Sequence, residues 1–280
     1  MSFALFFLFV PPRVFVSRPH TQQFFFFRSL VGSVGDSLPT GSIATRSGAL
    51  MAAAEMFEIV IHGKGGHAAM PHLTIDPIVA SSFFVSSLQS IVSRTISPLE
   101  SGVISVTQIT AGDAFNVIPA SATIRGTIRA LSTEMLMSLR DKLEHMLEST
   151  DSMYGCNSTI VYSPDFYPPT VNDAELVNWS KDIGAMVSRE GTMRDIVPTM
   201  GGEDFAFLAQ AIPSVFFFIG QGSGGDEQYH IPRTDYGLHH PSFSLDEDVL
   251  PIGVELHANL ALRSLKSLSE QSEEATKAEL

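Results

Sequence analysis

One cysteine, a shortage of basic residues and the lack of any apolar stretch long enough to cross a bilayer set the first limits on this chain. Cys156, as the single cysteine, excludes an internal disulfide, a Cys-x-x-Cys pair and a cysteine-built zinc ribbon. Only 17 Lys and Arg stand against 30 Asp and Glu, a formal net charge of -13 over 280 residues. Such a charge repels phosphate backbones and anionic lipid, and no basic patch offsets it, so neither nucleic acid nor a membrane is expected as a partner. The apolar run Phe3 to Val10 is too short to span and is stopped by Pro11 and Pro12. It looks like the h-region of a secretory signal, but it has no basic n-region and no evident small-residue cleavage site.

The residues that are present are unevenly spread. Residues 1–31 hold nine of the twenty Phe, three Arg and no acid, and read as an atypical Phe-rich leader foreign to the rest of the chain. A length of 280 residues at 44% hydrophobic content gives ample material for one large domain or two small ones.

From Met56 onward the apolar period changes in an interpretable order. Met56 to His62 alternates as a strand and ends at a Gly-Lys-Gly-Gly turn. Thr74 or Asp76 caps a helix with Pro77 in its first turn, and Phe84, Leu88, Ile91 and Val92 give it one buried face. Gly102 to Thr110 and Ser121 to Ala130 read as strands. Ser132 caps a second helix with an apolar stripe of Met135, Leu136, Leu139, Leu143, Met146 and Leu147, and Asn157 to Tyr162 is a further strand. Strand, helix, strand, strand, helix, strand is the split βαβ, or ferredoxin-like, order, with one sheet face under two helices. Pro164, Pro168 and Pro169 mark a boundary. After it Asn172-Asp173 cap a helix to about Arg189, Ser214 to Gly220 reads as a fully buried strand, and Asp246 to Leu268 as a long helix before a polar, frayed tail at 269–280. Strands alternating with helices imply a second, α/β layer structure.

Nine histidines in an acidic chain invite a metal reading, although an isolated exposed His is ordinarily a solvated side chain. His67 follows the glycine-rich turn between a strand and a helix, where a backbone can approach a ligand closely and a ring N–H can donate to a developing oxyanion. Asn116, in Asp113-Ala114-Phe115-Asn116-Val117-Ile118-Pro119, offers both an amide donor and an acceptor between the middle strands. On residue chemistry alone both segments can equally be plain turns. Cys156 reads as packing, and the glycine-rich stretch at 222–226 lacks the helix and basic residue of a phosphate cradle.

Taken together, LPTGSIATRSGALMAA, FEIVIHGKGGHAAMPHLTIDPI, GDAFNVIPASATIRGTIRA, PPTVND, MGGEDFAF and LHHPSFSLDEDVLPIG resemble the M20 family of metal-dependent peptidases and amidohydrolases. The nearest branch is that of the plant IAA-amino acid hydrolases, which act on auxin conjugates. The resemblance runs from about Leu38 to Leu268. It implies a zinc-peptidase-like α/β catalytic domain interrupted by a ferredoxin-like lid that also mediates dimerisation. Residues 55–165 would be the lid, and residues 32–54 and 166–268 the later part of the catalytic domain.

The resemblance also implies a two-metal site of zinc or manganese and a glutamate that deprotonates metal-bound water. His239 matches the C-terminal metal ligand, with His240 as its neighbour. Glu203 and Asp204 would line the site, the plain alternative being an acid stabilised at a helix N-terminus. His67 matches a lid histidine that reaches the substrate carbonyl, commonly in a partner subunit, and Asn116 a substrate-contacting position. The family's Cys-Gly-His-Asp loop, its Glu-Glu pair and its pre-lid His have no match in these residues. A catalytic zinc needs three protein ligands, so the expectation is a family member that, as written, lacks hydrolase activity. The alternatives are a non-catalytic partner that dimerises, as a homo- or hetero-dimer through the lid, with an intact homologue, or an incompletely read gene of an active enzyme. The expected substrate is a small amino-acid conjugate. Lys277-Ala278-Glu279-Leu280 is a weak variant of an endoplasmic-reticulum retention signal.

Overall fold

The computed structural model describes residues 6–9, 26–31, 38–222 and 240–277. It is a mixed α/β structure that divides into two compact units. One comprises Met51–Pro169 with Met200–Glu203, and the other Met1–Leu50, Thr170–Thr199 and Asp204–Leu280. None of the helices among the described residues is long and apolar enough to cross a membrane.

The first unit, here the α+β unit, is a four-stranded sheet under two helices. Its strands are β5 (Ala53–His62), β7 (Gly102–Ala111), β9 (Ser121–Ala130) and β10 (Asn157–Tyr162), in the order β10-β5-β9-β7. Every neighbouring pair is antiparallel. That is the split βαβ arrangement. Alternation along β5 turns Ala53, Glu55, Phe57, Ile59 and Ile61 inward. The strand starts three residues before the apolar alternation at Met56, because alanines carry little hydrophobic signal. Helix α1 (Pro77–Ser90) is capped by the Asp76 carboxylate, which accepts from Ile78 and Val79 N–H, and places Pro77 in its first turn. Helix α2 (Thr133–Tyr154) is capped by Ser132, whose hydroxyl accepts from Met135 N–H. Phe84 and Leu88 of α1 and Leu136, Leu139, Leu143 and Leu147 of α2 pack on Phe57, Ile59, Ile61, Ile124 and Ile128 of the sheet.

One inward position of β5 carries a charge. Glu55 is 3% exposed, and its carboxylate meets the Arg140 guanidinium of α2 at 3.3 Å. Arg140 in turn lies over the Tyr162 ring, 3.7 Å from its centre, and pairs with Glu144. Burial outweighs the arginine and pushes the Glu55 carboxyl above the ordinary carboxylate range.

The other unit is built on a five-stranded sheet of β1 (Phe6–Phe9), β2 (Phe26–Val31), β13 (Ser214–Ile219), β3 (Ile43–Thr45) and β12 (Met193–Asp195), in that order. The described pieces of the Phe-rich start, Phe6–Phe9 and Phe26–Val31, are therefore strands of this sheet. Phe26–Val31 runs parallel to Ser214–Ile219 in full register, and Phe6–Phe9 closes on it antiparallel. β3 occupies one edge of β13, so the opposite edge is available to a β-prone segment.

All six side chains of β13 are buried, as a continuous apolar run in a covered strand requires. Val215, Phe217 and Ile219 pack with Leu176, Val177, Ile183 and Val187 of α3 (Ala174–Val187) and with Ile252, Leu256 and Leu260 of α5 (Leu250–Lys277). On the other face Phe216 meets Phe205 and Phe218 edge to face, at 5.5 and 5.4 Å. Phe205 opens the short helix α4 (Phe205–Ala211). A two-stranded ribbon of β4 (Gly48–Met51) and β11 (Thr170–Asn172) leads to α3, whose cap is Asp173. The Asn172 amide ties this ribbon down, donating to Thr45 Oγ1 and to the Arg46 and Phe216 carbonyls and accepting from Phe216 N–H at 2.8 Å. Asp246 caps the turn that precedes α5. That helix does not fray at Ser269 but continues to Lys277, since Glu, Gln, Ala and Lys sustain a helix and Lys266 pairs with Glu270 one turn on.

Candidate functional site

The glycine-rich turn after β5 folds back on the start of β9. Gly63 N–H bonds the Ala120 carbonyl at 2.9 Å, and Lys64 exchanges two backbone bonds with Ile75. A Cβ on Gly63 would lie 2.2 Å from the Ile75 oxygen and one on Gly65 2.8 Å from the Ile118 oxygen, so no larger residue fits either approach. This brings the two-residue strand β6 (Gly66–His67) against β8 (Val117–Ile118), with His67 opposite Val117. Ala68 N–H then bonds the Asn116 carbonyl at 3.0 Å.

His67 and Asn116 are thus neighbours in one knot of backbone bonds, and both side chains are exposed. The His67 Nδ1 accepts from Ala69 N–H at 3.1 Å. With Nδ1 accepting, the neutral ring carries its proton on Nε2, so the free side of the ring is a donor suited to a carbonyl oxygen. Phe115 beside them is fully exposed.

Glu203 lies elsewhere. The segment before it is bound at the opposite end of the same sheet, where Ala52 N–H bonds the Gly201 carbonyl at 2.8 Å. From there β5 runs ten residues to His62, a path of about 30 Å. One copy of the chain therefore joins His67 to Asn116 and does not join either to Glu203. Asp204, next in sequence, is the N-cap residue of α4 but makes no side-chain cap bond.

His240 is exposed, and its Nδ1 accepts from Ser242 N–H at 3.0 Å. His239, the glycine-rich residues 223–226 and Ala278–Leu280 lie outside the described residues. Among the described residues no three His, Cys, Asp or Glu side chains come together closely enough to hold a metal ion, so these residues by themselves do not fit a metal centre. The thiol of Cys156 is pushed up by burial and by Asp151 and Asp76, which makes it a poor nucleophile, in keeping with a packing role.

Two groups escape a reading of motifs. Glu55 is betrayed by its phase, since it shares the inward face of β5 with Phe57, Ile59 and Ile61. Arg129 has no such signal. Its guanidinium Nη1 donates to the Met200 carbonyl at 2.9 Å, across 71 residues of sequence.

Comparison with known proteins places these features in context. Residues 53–154 match the Peptidase dimerisation domain of the M20 type. The chain is 41% identical over 239 residues to the IAA-amino acid hydrolase ILR1-like 4 of Arabidopsis thaliana, covering 84% of this chain and 53% of that protein. It is 36% identical over 231 residues to N-acetylcysteine deacetylase of Bacillus subtilis, covering 82% and 57%. A crystal structure of a dinuclear metal-binding peptidase from Bacillus subtilis superposes with a TM-score of 0.66 at 30% identity, over 86% of this chain and 57% of that one. The chain thus spans about half the length of the curated relatives it matches.

Proposed function

We propose that the chain, which matches the M20 dimerisation domain over residues 53–154, is a member of the M20 family of peptidases and amidohydrolases and carries the lid and later catalytic part of an enzyme that releases indole-3-acetate or a related acyl group from an amino acid. The observation that carries this reading is the 41% identity over 239 residues to a plant IAA-amino acid hydrolase. Similarity to a bacterial deacetylase supports the broader class, cleavage of an acyl–nitrogen bond.

In this reading the α+β unit is the lid and pairs with a second lid. The length of β5, about 30 Å, favours action between copies, because it stands between the turn that carries His67 and the segment that precedes Glu203 in one chain. The Nε2–H of His67 donates to the substrate carbonyl as charge develops on it, and the Asn116 amide orients the conjugate. In the family a divalent pair supplies the activated water, and His239 is the residue here that matches one of its ligands.

Among the described residues no three potential ligands come together, and His239 is the one residue that matches a family ligand by motif, too few for such a pair. Purified with zinc or manganese and given an indole-3-acetyl amino acid, the 280-residue chain should release no free acid. Stoichiometric metal together with hydrolysis would overturn that expectation. A second reading, a non-catalytic partner that lends its lid to an intact relative, follows from the same separation. Mixing the two and measuring mass and rate decides it, and neither a hetero-dimer nor a rate change would dispose of it.

A further inference from the structure

Four residues depart from their neighbours in sequence. Thr199 donates its N–H to the Leu50 carbonyl and Asp204 opens α4, both within the unit of the five-stranded sheet. Met200–Glu203, between them, group with the α+β unit. Three features of that unit hold them. Ala52 N–H bonds the Gly201 carbonyl at 2.8 Å, and Arg129 Nη1 bonds the Met200 carbonyl at 2.9 Å. Gly202 lies flat on the strand base, where an added Cβ would stand 3.1 Å from Ala54 Cβ and 3.3 Å from the Tyr167 ring. Ala54 and Tyr167 are themselves locked together by two backbone bonds, at 2.9 and 3.0 Å.

Arg129 is the one side chain among these that reaches out of the sheet. It stands near the end of β9, on the face opposite Ile128 and Ala130, and is partly buried. A guanidinium is always charged and rigidly planar, so it can hold a carbonyl that has no strand of its own to pair with.

We propose that Arg129 is a positioning residue, which fixes Met200–Glu203 to the sheet of the α+β unit so that the Glu203 carboxylate travels with that unit. His67 and Glu203 are then attached to opposite ends of one rigid sheet, and any movement of the sheet shifts both together. The importance of this for amide hydrolysis rests on Glu203 lining the substrate site, as proposed above. The anchoring itself does not.

Amide hydrogen exchange on the full chain, without substrate, tests it. The reporter is Ala52 N–H, which is held by the Gly201 carbonyl. Arg129→Met keeps the aliphatic stem and removes the fork, and should speed exchange at Ala52 by about ten-fold, the scale of one lost charge-assisted bond. Ala54, Tyr167 and Ile124 should keep their wild-type protection, and Arg129→Lys should restore Ala52 to within about two-fold, because it keeps a charged donor. Gly202→Ala crowds Ala54 and Tyr167 without touching the arginine and should loosen Ala52 in the same way. Wild-type protection of Ala52 in Arg129→Met would overturn the proposal, as would equal loosening of Ala54, Tyr167 and Ile124. So would failure of the lysine to rescue. Because no turnover is read, a chain found to act on another substrate would leave this result standing, and a failed anchor would leave the amidohydrolase reading standing.

Discussion

The two units cover a sheet in different ways. The α+β unit draws its four strands from residues 53–162, with each neighbour antiparallel and two helices packed on one face. The five-stranded sheet takes strands from Phe6–Phe9, Phe26–Val31, Ile43–Thr45, Met193–Asp195 and Ser214–Ile219, in mixed directions. Its central strand is buried on both faces and paired with a segment 188 residues earlier. Pairings within the four-stranded sheet span at most 105 residues, from Phe57 to Tyr162, against 188 between Phe26 and Ser214, so the second sheet closes the larger loop before its contacts form. Stability should therefore be carried by different residues in the two units, and should answer acid with opposite signs.

The largest expected effect falls on the distant pairing. Phe217→Ala removes a fully buried ring between β13 and the α3 and α5 helices. It should cost about 3–5 kcal/mol. Urea unfolding followed by the fluorescence of Trp179, the single tryptophan, which sits on α3, should show the loss. Exchange protection of Ile59 and Ile124 in the α+β unit should stay unchanged. A parallel collapse there would mean the two units unfold as one, and the comparison would fail.

Acid should act next, through His257 of α5. Burial pushes this imidazole down from the ordinary 6.5 to about 4. The folded state then binds fewer protons than the unfolded chain between those values. Its contribution is fully present above pH 6.5 and is lost as the pH falls towards 4, at most about 3 kcal/mol. The Trp179-monitored midpoint should drop across that window in the wild type and flatten in His257→Leu. A slope that survives the substitution would assign the acid sensitivity elsewhere.

Glu55 should give the smallest effect, with the reverse sign. Its folded pKa is raised, chiefly by burial, so it favours folding below the ordinary carboxylate value of 4.5 and loses that contribution as pH rises. Glu55→Gln keeps a hydrogen-bond acceptor for Arg140, which retains Glu144 as its charged partner. It should raise the stability of the α+β unit at neutral pH by about 1 kcal/mol or less. Exchange at Ile59, compared at pH 5 and pH 7, reads this directly. A destabilised variant would show that the Glu55–Arg140 pair outweighs its own desolvation.

The features legible without coordinates obey the same division. The caps Asp76, Ser132 and Asp173, the stripe of Leu136 to Leu147 and the apolar run of β13 are effects of chemistry within a few residues, and each lies where the sequence places it. The turn that carries His67 was legible through glycine spacing, because only glycine allows the close approaches at Gly63 and Gly65, whereas its pairing with the Asn116 segment was not. Glu203 was legible as a residue but not as a part of the α+β unit, since the contacts of the segment before it, the Ala52–Gly201 and Arg129–Met200 bonds and the close approach of Gly202, join residues far apart in sequence. The Phe-rich start looked foreign because its composition differs, yet a strand edge selects extended, β-prone backbone and is indifferent to origin.

The sequence by itself determined the order of elements, the helix ends and the buried faces, all set by periods of two or 3.6 residues and by caps that act locally. Only the tertiary structure decided that Phe26–Val31 completes the sheet beside Ser214–Ile219, and that Arg129 bonds the Met200 carbonyl at the end of β9. Those outcomes depend on which distant edge or carbonyl is left without a partner once the local elements have formed, and no local period records that.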